Sequence, residues 1–366
     1  MPQFAIIVTL VFACSLILSL IFFLMRRRIL NMQNFRNDLI AVQAVHSVSA
    51  PRTGGVAVVL AFVLGLTLWF DESTSGLEHM RFMFTLVPVF VVGLSEDLGY
   101  FISPKLRLLS AAISGALFIF LFGQWISRGD LPGLDAALLW LPFAISLSIF
   151  VAVAIGHAFN LIDGVNGLSG LIGIAAALSL AIMADDVGLS GHRNMLIVLA
   201  AAIAGFLLIN FPFGLIFLGD AGAYAIGHIL VWISISIIWS SDQITPWAIF
   251  LIFFWPIGDT LLAITRRLSK GRPVSQPDRL HFHQLVLRAC EILIVGRGRR
   301  KFTNPLATII ILPLAIAPMC AGVLFSNDRN DALLAVLFFG LLFVVTYRLG
   351  LSIACLLYTS PSPRDS

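Results

Sequence analysis

Residues 135–184 read DAALLWLPFAISLSIFVAVAIGHAFNLIDGVNGLSGLIGIAAALSLAIMA. Two apolar runs, 135–155 and 167–184, reach the length of about 17 to 25 residues that a helix needs to cross a hydrocarbon core of about 30 Å. Between them lie Asn160, Asp163 and Asn166, with Gly164 and Gly167. Backbone in lipid must satisfy its own N–H and C=O groups, so such runs fold as helices. The stretch predicts two membrane helices whose connection carries polar chemistry.

The same pattern extends in both directions. Apolar runs near 4–25, 54–70, 81–98 and 105–123 precede it, and runs near 194–211, 221–239, 245–265, 304–325 and 332–349 follow. The expectation is an all-α polytopic membrane protein with about eleven crossings. Composition agrees: 59% of the 366 residues are hydrophobic and 11% are charged, where a soluble domain carries about 25% charge. A mean hydropathy of +0.99 excludes an ordinary soluble domain, and residues 1–354 read as one transmembrane domain.

Orientation follows from basic residues, which stay cytoplasmic. With the N-terminus outside and the C-terminus cytoplasmic, only Arg81, Arg128, Arg193 and Arg329 among the 23 Lys and Arg fall outside. The first run is no secretory signal, because its basic cluster Arg26-Arg27-Arg28 follows the apolar segment. The net charge of +4 then reflects membrane orientation and anionic substrates, with no case for nucleic acid. Cys14, Cys290, Cys320 and Cys355 show neither paired nor metal-ligand spacing. Residues 355–366 back-translate into a transposase sequencing adapter, so they read as a non-native tail, the alternative being a Ser/Pro-rich disordered one.

Ionisable groups at membrane depth are costly and mark function. Three clusters fall on the predicted cytoplasmic face: Glu96-Asp97 closing the third run, Asn160-Leu-Ile-Asp163-Gly-Val-Asn166-Gly167, and Phe217-Leu-Gly-Asp220-Ala-Gly222. Each has a plainer reading. Glu96-Asp97 reads equally as a solvated helix end with Lys105 and Arg107 as counter-ions. The spacing i, i+3, i+6 puts Asn160, Asp163 and Asn166 on one face of a helix or turn series, suiting a hard cation, nucleobase donors or interhelical hydrogen bonds. Asp220 reads as a ligand or a helix cap. An all-oxygen donor set beside phosphate favours magnesium or manganese over zinc.

The predicted inner loop 266–303 carries Arg279-Leu-His281-Phe-His283 and the run Arg297-Gly-Arg-Arg-Lys301. The latter reads as a topology determinant on anionic lipid. Two residues apart, His281 and His283 share a face of an extended segment and suit a diphosphate, or are plain loop histidines. Weaker candidates are Asp259, beside a kink expected at Pro256, and His46 and Arg52 just before the second run.

In this order the motifs resemble the polyprenyl-phosphate N-acetylhexosamine-1-phosphate transferases. The resemblance runs from about His46 to about Arg288 and in topology over nearly the whole chain. It implies magnesium-dependent attack by undecaprenyl phosphate on the β-phosphate of a UDP-sugar, with release of UMP. Asp220 and Asn160 would hold the metal, and Asp97 and Glu96 would position or deprotonate the lipid phosphate. Asp163 and Asn166 would face the nucleotide, while His281, His283 and Arg279 would bind the diphosphate. Lys105, Arg107, Arg52 and His46 would complete the substrate site.

Departures from the family pattern are Glu96 for the usual first Asp, His157 for a frequent Asn, Asn166 for a frequent Asp and Gln43 for a frequent Arg. With His-Phe-His in place of three histidines, the chain looks closest to the branch that starts O-antigen or other surface polysaccharides from UDP-linked N-acetylglucosamine, N-acetylfucosamine or N-acetylquinovosamine. The alternative is the peptidoglycan branch, acting on a phospho-N-acetylmuramoyl pentapeptide. A homodimer at the inner membrane is implied. A transporter is a remote alternative, since the clusters lie at one interface and no internal repeat is visible.

Overall fold

Apolar runs of this length, uninterrupted by charge, become helices that pack through small residues. The computed structural model describes residues 2–32, 50–69, 75–269, 271, 280–296 and 299–359. Its helices are α1 (Pro2–Leu24), α2 (Arg26–Met32), α3 (Gly54–Leu68), α4 (Ser75–Asp97), α5 (Pro104–Phe122), α6 (Pro132–Leu138), α7 (Leu141–Ile162) and α8 (Leu168–Asp186). They continue with α9 (Ser190–Asn210), α10 (Gly219–Ser240), α11 (Pro246–Ile252), α12 (Phe254–Ser269), α13 (Phe282–Cys290), α14 (Arg300–Leu324) and α15 (Arg329–Thr359). Among the described residues nine helices are long and apolar enough to cross a membrane, and α11 with α12 would make a tenth, broken span. The all-α reading holds.

Three expected runs differ in detail. The run over 54–70 is the 15-residue helix α3, about 22 Å long at 1.5 Å per residue and so shorter than the hydrocarbon core. Its start is tied by backbone pairing to the segment before α10: Gly54 N–H donates to Phe217 O at 2.9 Å, Gly55 N–H to Leu218 O at 2.7 Å, and Phe217 N–H to Pro51 O at 2.9 Å. The run over 135–155 divides into α6 and α7, with Pro142 in the first turn of α7, where its missing N–H costs nothing. Helix α7 therefore continues to Ile162 and carries Asn160. The run over 245–265 bends by 78° between α11 and α12, and Pro256 in the first turn of α12 has no N–H to offer the preceding helix.

Helix α10 is the axis of the bundle: every residue from Ala221 to Ile238 is buried, and α3, α4, α5, α7, α8 and α9 pack around it. Glycine permits this approach. A Cβ on Gly55 would collide with the backbone N of Gly222, so α3 and α10 cross backbone to backbone, as small residues allow between membrane helices. The crossing brings the start of α3 and the start of α10 to one end of the bundle.

Candidate active site

The chain ends four helical segments at that place: α4 at Asp97, α7 at Ile162, and, by their first residues, α3 and α10. Asp97 is 4% exposed, and its two oxygens accept from the N–H groups of Asp220 and Ala221, each at 2.9 Å. Two orphan donors of the α10 N-terminus are thereby satisfied by a carboxylate, the arrangement that a helix dipole favours. Gly219 makes the approach possible. Its φ of +77° lies in the left-handed region, and a Cβ there would sit 2.6 Å from Asp97 Oδ1.

Asp220, the next residue, turns its side chain outward and meets Arg107 Nη1 at 3.3 Å. Arg107 also lies beside Tyr224, one turn further along α10, and Glu96 lies within electrostatic reach of both. Glu96 itself accepts from Ile102 N–H at 3.1 Å, fixing the turn between α4 and α5. Lys105 is exposed on the first turn of α5.

Asp163 caps the C-terminus of α7 and approaches the Gly219 amide. Burial raises its carboxyl well above the usual value and the negative charge of Asp220 adds to this, while Arg52 and the Gly219 amide oppose it. Arg52 also acts on Asp97. Three predicted clusters and Arg52 thus meet around the α10 N-terminus. Asn160, one turn before Asp163 on α7, is partly exposed, and no described residue hydrogen-bonds its side chain.

The shared face expected for Asn160, Asp163 and Asn166 is not formed. Helix α7 stops before Asp163 and the chain turns through Gly167 at φ +75°, which sends Asn166 inward. Its Nδ2 donates to Pro212 O at 2.9 Å, its N–H to Asn304 Oδ1 at 2.7 Å, and its carbonyl accepts from Thr308 at 2.7 Å. Asn210 accepts from Gly167 N–H at 2.7 Å and donates to Ile216 O at 2.7 Å. The turn is thus stitched to α9 and α14 by Asn210, Asn304 and Thr308, which the sequence reading had not singled out. Polar residues inside apolar runs were the signal that could have found them.

His281 and His283 are neither exposed nor on a common extended segment. His281 is extended and precedes α13, His283 lies in its first turn, and they are 2% and 1% exposed. Their rings are nevertheless parallel within 12°, centroids 5.5 Å apart. Both face Asp259 of α12: His283 Nδ1 is 2.9 Å from Oδ2, His281 Nδ1 is 3.5 Å from Oδ1, and Phe282 N–H donates to Oδ1 at 2.8 Å. Gly164 brings the Asp163 turn against this pair, since a Cβ on it would lie 3.3 Å from His283 Nε2. His46 and Arg279 lie outside the described residues.

Among the described residues no group of three His, Cys, Asp or Glu side chains is arranged to hold a metal ion by itself. A Mg²⁺ ion commonly takes one or two carboxylates and completes its octahedron with substrate phosphate and water. Asp220, with a partly exposed carboxylate, and Asn160, whose side chain no described residue hydrogen-bonds, are the residues that would serve in such an open donor set.

Residues 79–238, which include Glu96, Asp97, Asn160, Asp163, Asn166 and Asp220, match glycosyl transferase family 4. The chain is 29% identical over 249 residues to a probable undecaprenyl-phosphate N-acetylglucosaminyl 1-phosphate transferase of Bacillus subtilis, covering 66% of this chain and 67% of the relative. An undecaprenyl-phosphate alpha-N-acetylglucosaminyl 1-phosphate transferase of Yersinia pestis is 28% identical over 253 residues, 67% of each chain. One of the same description from Escherichia coli is 27% identical over 318 residues, 82% of this chain and 80% of the relative.

Proposed function

We propose that this chain, whose residues 79–238 match glycosyl transferase family 4, transfers N-acetylhexosamine 1-phosphate from a UDP-sugar to undecaprenyl phosphate at the cytoplasmic face of a bacterial inner membrane. An oxygen of the lipid phosphate bonds to the β-phosphorus, the bond from that phosphorus to the α–β bridging oxygen breaks, and UMP leaves. The sugar is N-acetylglucosamine, N-acetylfucosamine or N-acetylquinovosamine, and the product starts O-antigen or another surface polysaccharide. The protein acts as a homodimer; a strictly monomeric mass in lipid would contradict that part.

The observation that supports this reading best is the meeting of Asp97, Asp163, Asp220, Arg52 and Arg107 around the N-terminus of α10. Catalysis of phosphoryl transfer is mostly positioning and charge stabilisation, and mixed carboxylates and guanidinium groups beside a helix N-terminus are suited to it. Arg107 and Arg52 bind phosphate oxygens, with Asp220 holding the Arg107 fork in place. Asp97 fixes the α10 start, and Glu96 sits at the turn where the lipid headgroup enters from the α4–α5 side. Asp163 faces the nucleotide. A bound Mg²⁺, held by Asp220 and Asn160, would neutralise the diphosphate and stabilise the leaving UMP.

The test is to incubate purified protein with undecaprenyl phosphate, Mg²⁺ and each UDP-sugar in turn and to measure UMP. Release with one sugar at least is expected. No UMP from any of the three, with a monodisperse detergent profile, would overturn the proposal.

A further inference from the structure

Asp259 is fully buried within the broken span, where an ionised carboxylate is retained only against strong compensation. No Lys or Arg of the described residues pairs with it. Its partners are one amide and two imidazoles: Phe282 N–H on Oδ1 at 2.8 Å, His283 Nδ1 on Oδ2 at 2.9 Å and His281 Nδ1 at 3.5 Å. An ionised carboxylate only accepts, so the 2.9 Å contact requires the proton of His283 on Nδ1.

The rest of helix α12 completes the grip. Arg266, seven residues on and so on the same face, donates to Leu280 O at 2.8 Å and to the Tyr347 hydroxyl at 2.6 Å. That hydroxyl in turn donates to Leu280 O at 3.1 Å. The segment Leu280–His283 is thus held at its carbonyl by Arg266 and Tyr347 and at its amide and ring edges by Asp259. The 78° break before α12 is what turns this face toward the segment.

With Nδ1 of both near-parallel rings turned to a single carboxylate, their Nε2 edges face away from it. For His283 that direction is the Asp163–Gly164 turn. His281 Nδ1 has only its 3.5 Å approach to Asp259, and its Nε2 has no hydrogen-bond partner among the described residues although the residue is 2% exposed; buried polar atoms without partners are rare, and a ligand can supply the missing one.

We infer that Asp259 is a positioning residue for the transfer, holding His281 and His283 by their Nδ1 edges so that their Nε2 edges are presented to the diphosphate of the nucleotide sugar. This rests on the transferase reading above. An imidazolium so held donates from Nε2 without the side-chain freedom that a lysine would bring, and Asp259 balances its charge from behind, as carboxylates behind ligand histidines do elsewhere.

Asp259→Asn is nearly isosteric: its carbonyl oxygen can still accept from Phe282 N–H, but its NH₂ then faces His283 Nδ1 and displaces that proton. We expect kcat/KM for the UDP-sugar to fall about tenfold or more, the scale for losing a partner behind a ligand histidine. In a His281→Gln/His283→Gln background the same change should cost less than about twofold, because Asp259 acts through the rings. Equal losses in both backgrounds, or no loss in either, would overturn the inference. Ring ¹⁵N shifts give an answer independent of turnover and of any misfolding of the Asp259 variant, with the His283 signal identified through His283→Gln. In the unmodified protein His283 should carry a proton on Nδ1, and an unprotonated Nδ1 there would also overturn the inference. If the unmodified protein releases no UMP, the transferase reading fails while the ring measurement still decides the role of Asp259.

Discussion

Replacing Asp97 by Asn separates a positioning carboxylate from a proton acceptor. Asp97 is buried and gives one oxygen to Asp220 N–H and the other to Ala221 N–H, both at 2.9 Å, the second bond fully buried from water. Asn keeps one acceptor oxygen and turns an NH₂ toward the second amide. The loss is one hydrogen bond to a charged group, about 1.5–3 kcal/mol, plus a buried amide left without a partner, about 1–3 kcal/mol. The expected destabilisation is about 2.5–6 kcal/mol, concentrated at the start of α10. Melting in detergent followed by tryptophan fluorescence, alongside UMP release on the same preparation, measures both consequences. Asp97→Asn should melt several degrees below the unmodified protein and below Glu96→Gln, since Asp97 is buried at the start of α10 while Glu96 is partly exposed in the turn between α4 and α5. An Asp97→Asn protein that melts with the unmodified one while losing turnover would refute this reasoning and make Asp97 a purely chemical group.

Four further outcomes are expected. Asp220→Ala should abolish UMP release and leave melting nearly unchanged, because its ion pair to Arg107 is partly exposed; retained turnover would remove it from the site. Asp163→Asn should melt above the unmodified protein at pH 8, with the difference shrinking toward pH 4. The raised carboxyl of Asp163 contributes stability below its unfolded value of about 3.8, and this is lost as pH rises through the folded value; a pH-independent difference would contradict the assignment. Gly219→Ala should cost about 1–2 kcal/mol for the left-handed backbone alone and more for displacing Asp97, so both melting temperature and UMP release should fall. Chelation of divalent ions should stop UMP release and added Mg²⁺ should restore it, and turnover in excess chelator would count against the donor pair Asp220 and Asn160.

The helices were largely readable in advance because the bilayer makes each run satisfy its backbone locally. Errors came where proline redirects a run: Pro142 moved the start of α7, and Pro256 marks the break that gives α12 its own direction. Clustering of Glu96-Asp97, Asp163 and Asp220 at one end was also readable, since charge at membrane depth is rare enough to be informative. The partners of these groups were not. Asn166 resembles a ligand in its local motif, and its carbonyl, backbone amide and Nδ2 bond to α14 and the Pro212 loop while its Oδ1 has no partner among the described residues. Asp259 was a weaker candidate beside an expected kink, yet two histidines and an amide converge on it.

Taken alone, the sequence determined which segments become membrane helices and that their polar ends gather on one face, because hydropathy and backbone satisfaction act within a segment. Only the tertiary structure decided that Asp97 binds the start of α10, that Asn166 turns inward and that His281 and His283 stand on Asp259. Those choices depend on where helices cross, and the crossings rest on contacts such as Gly55 against Gly222 and Gly219 against Asp97, between residues far apart in the chain.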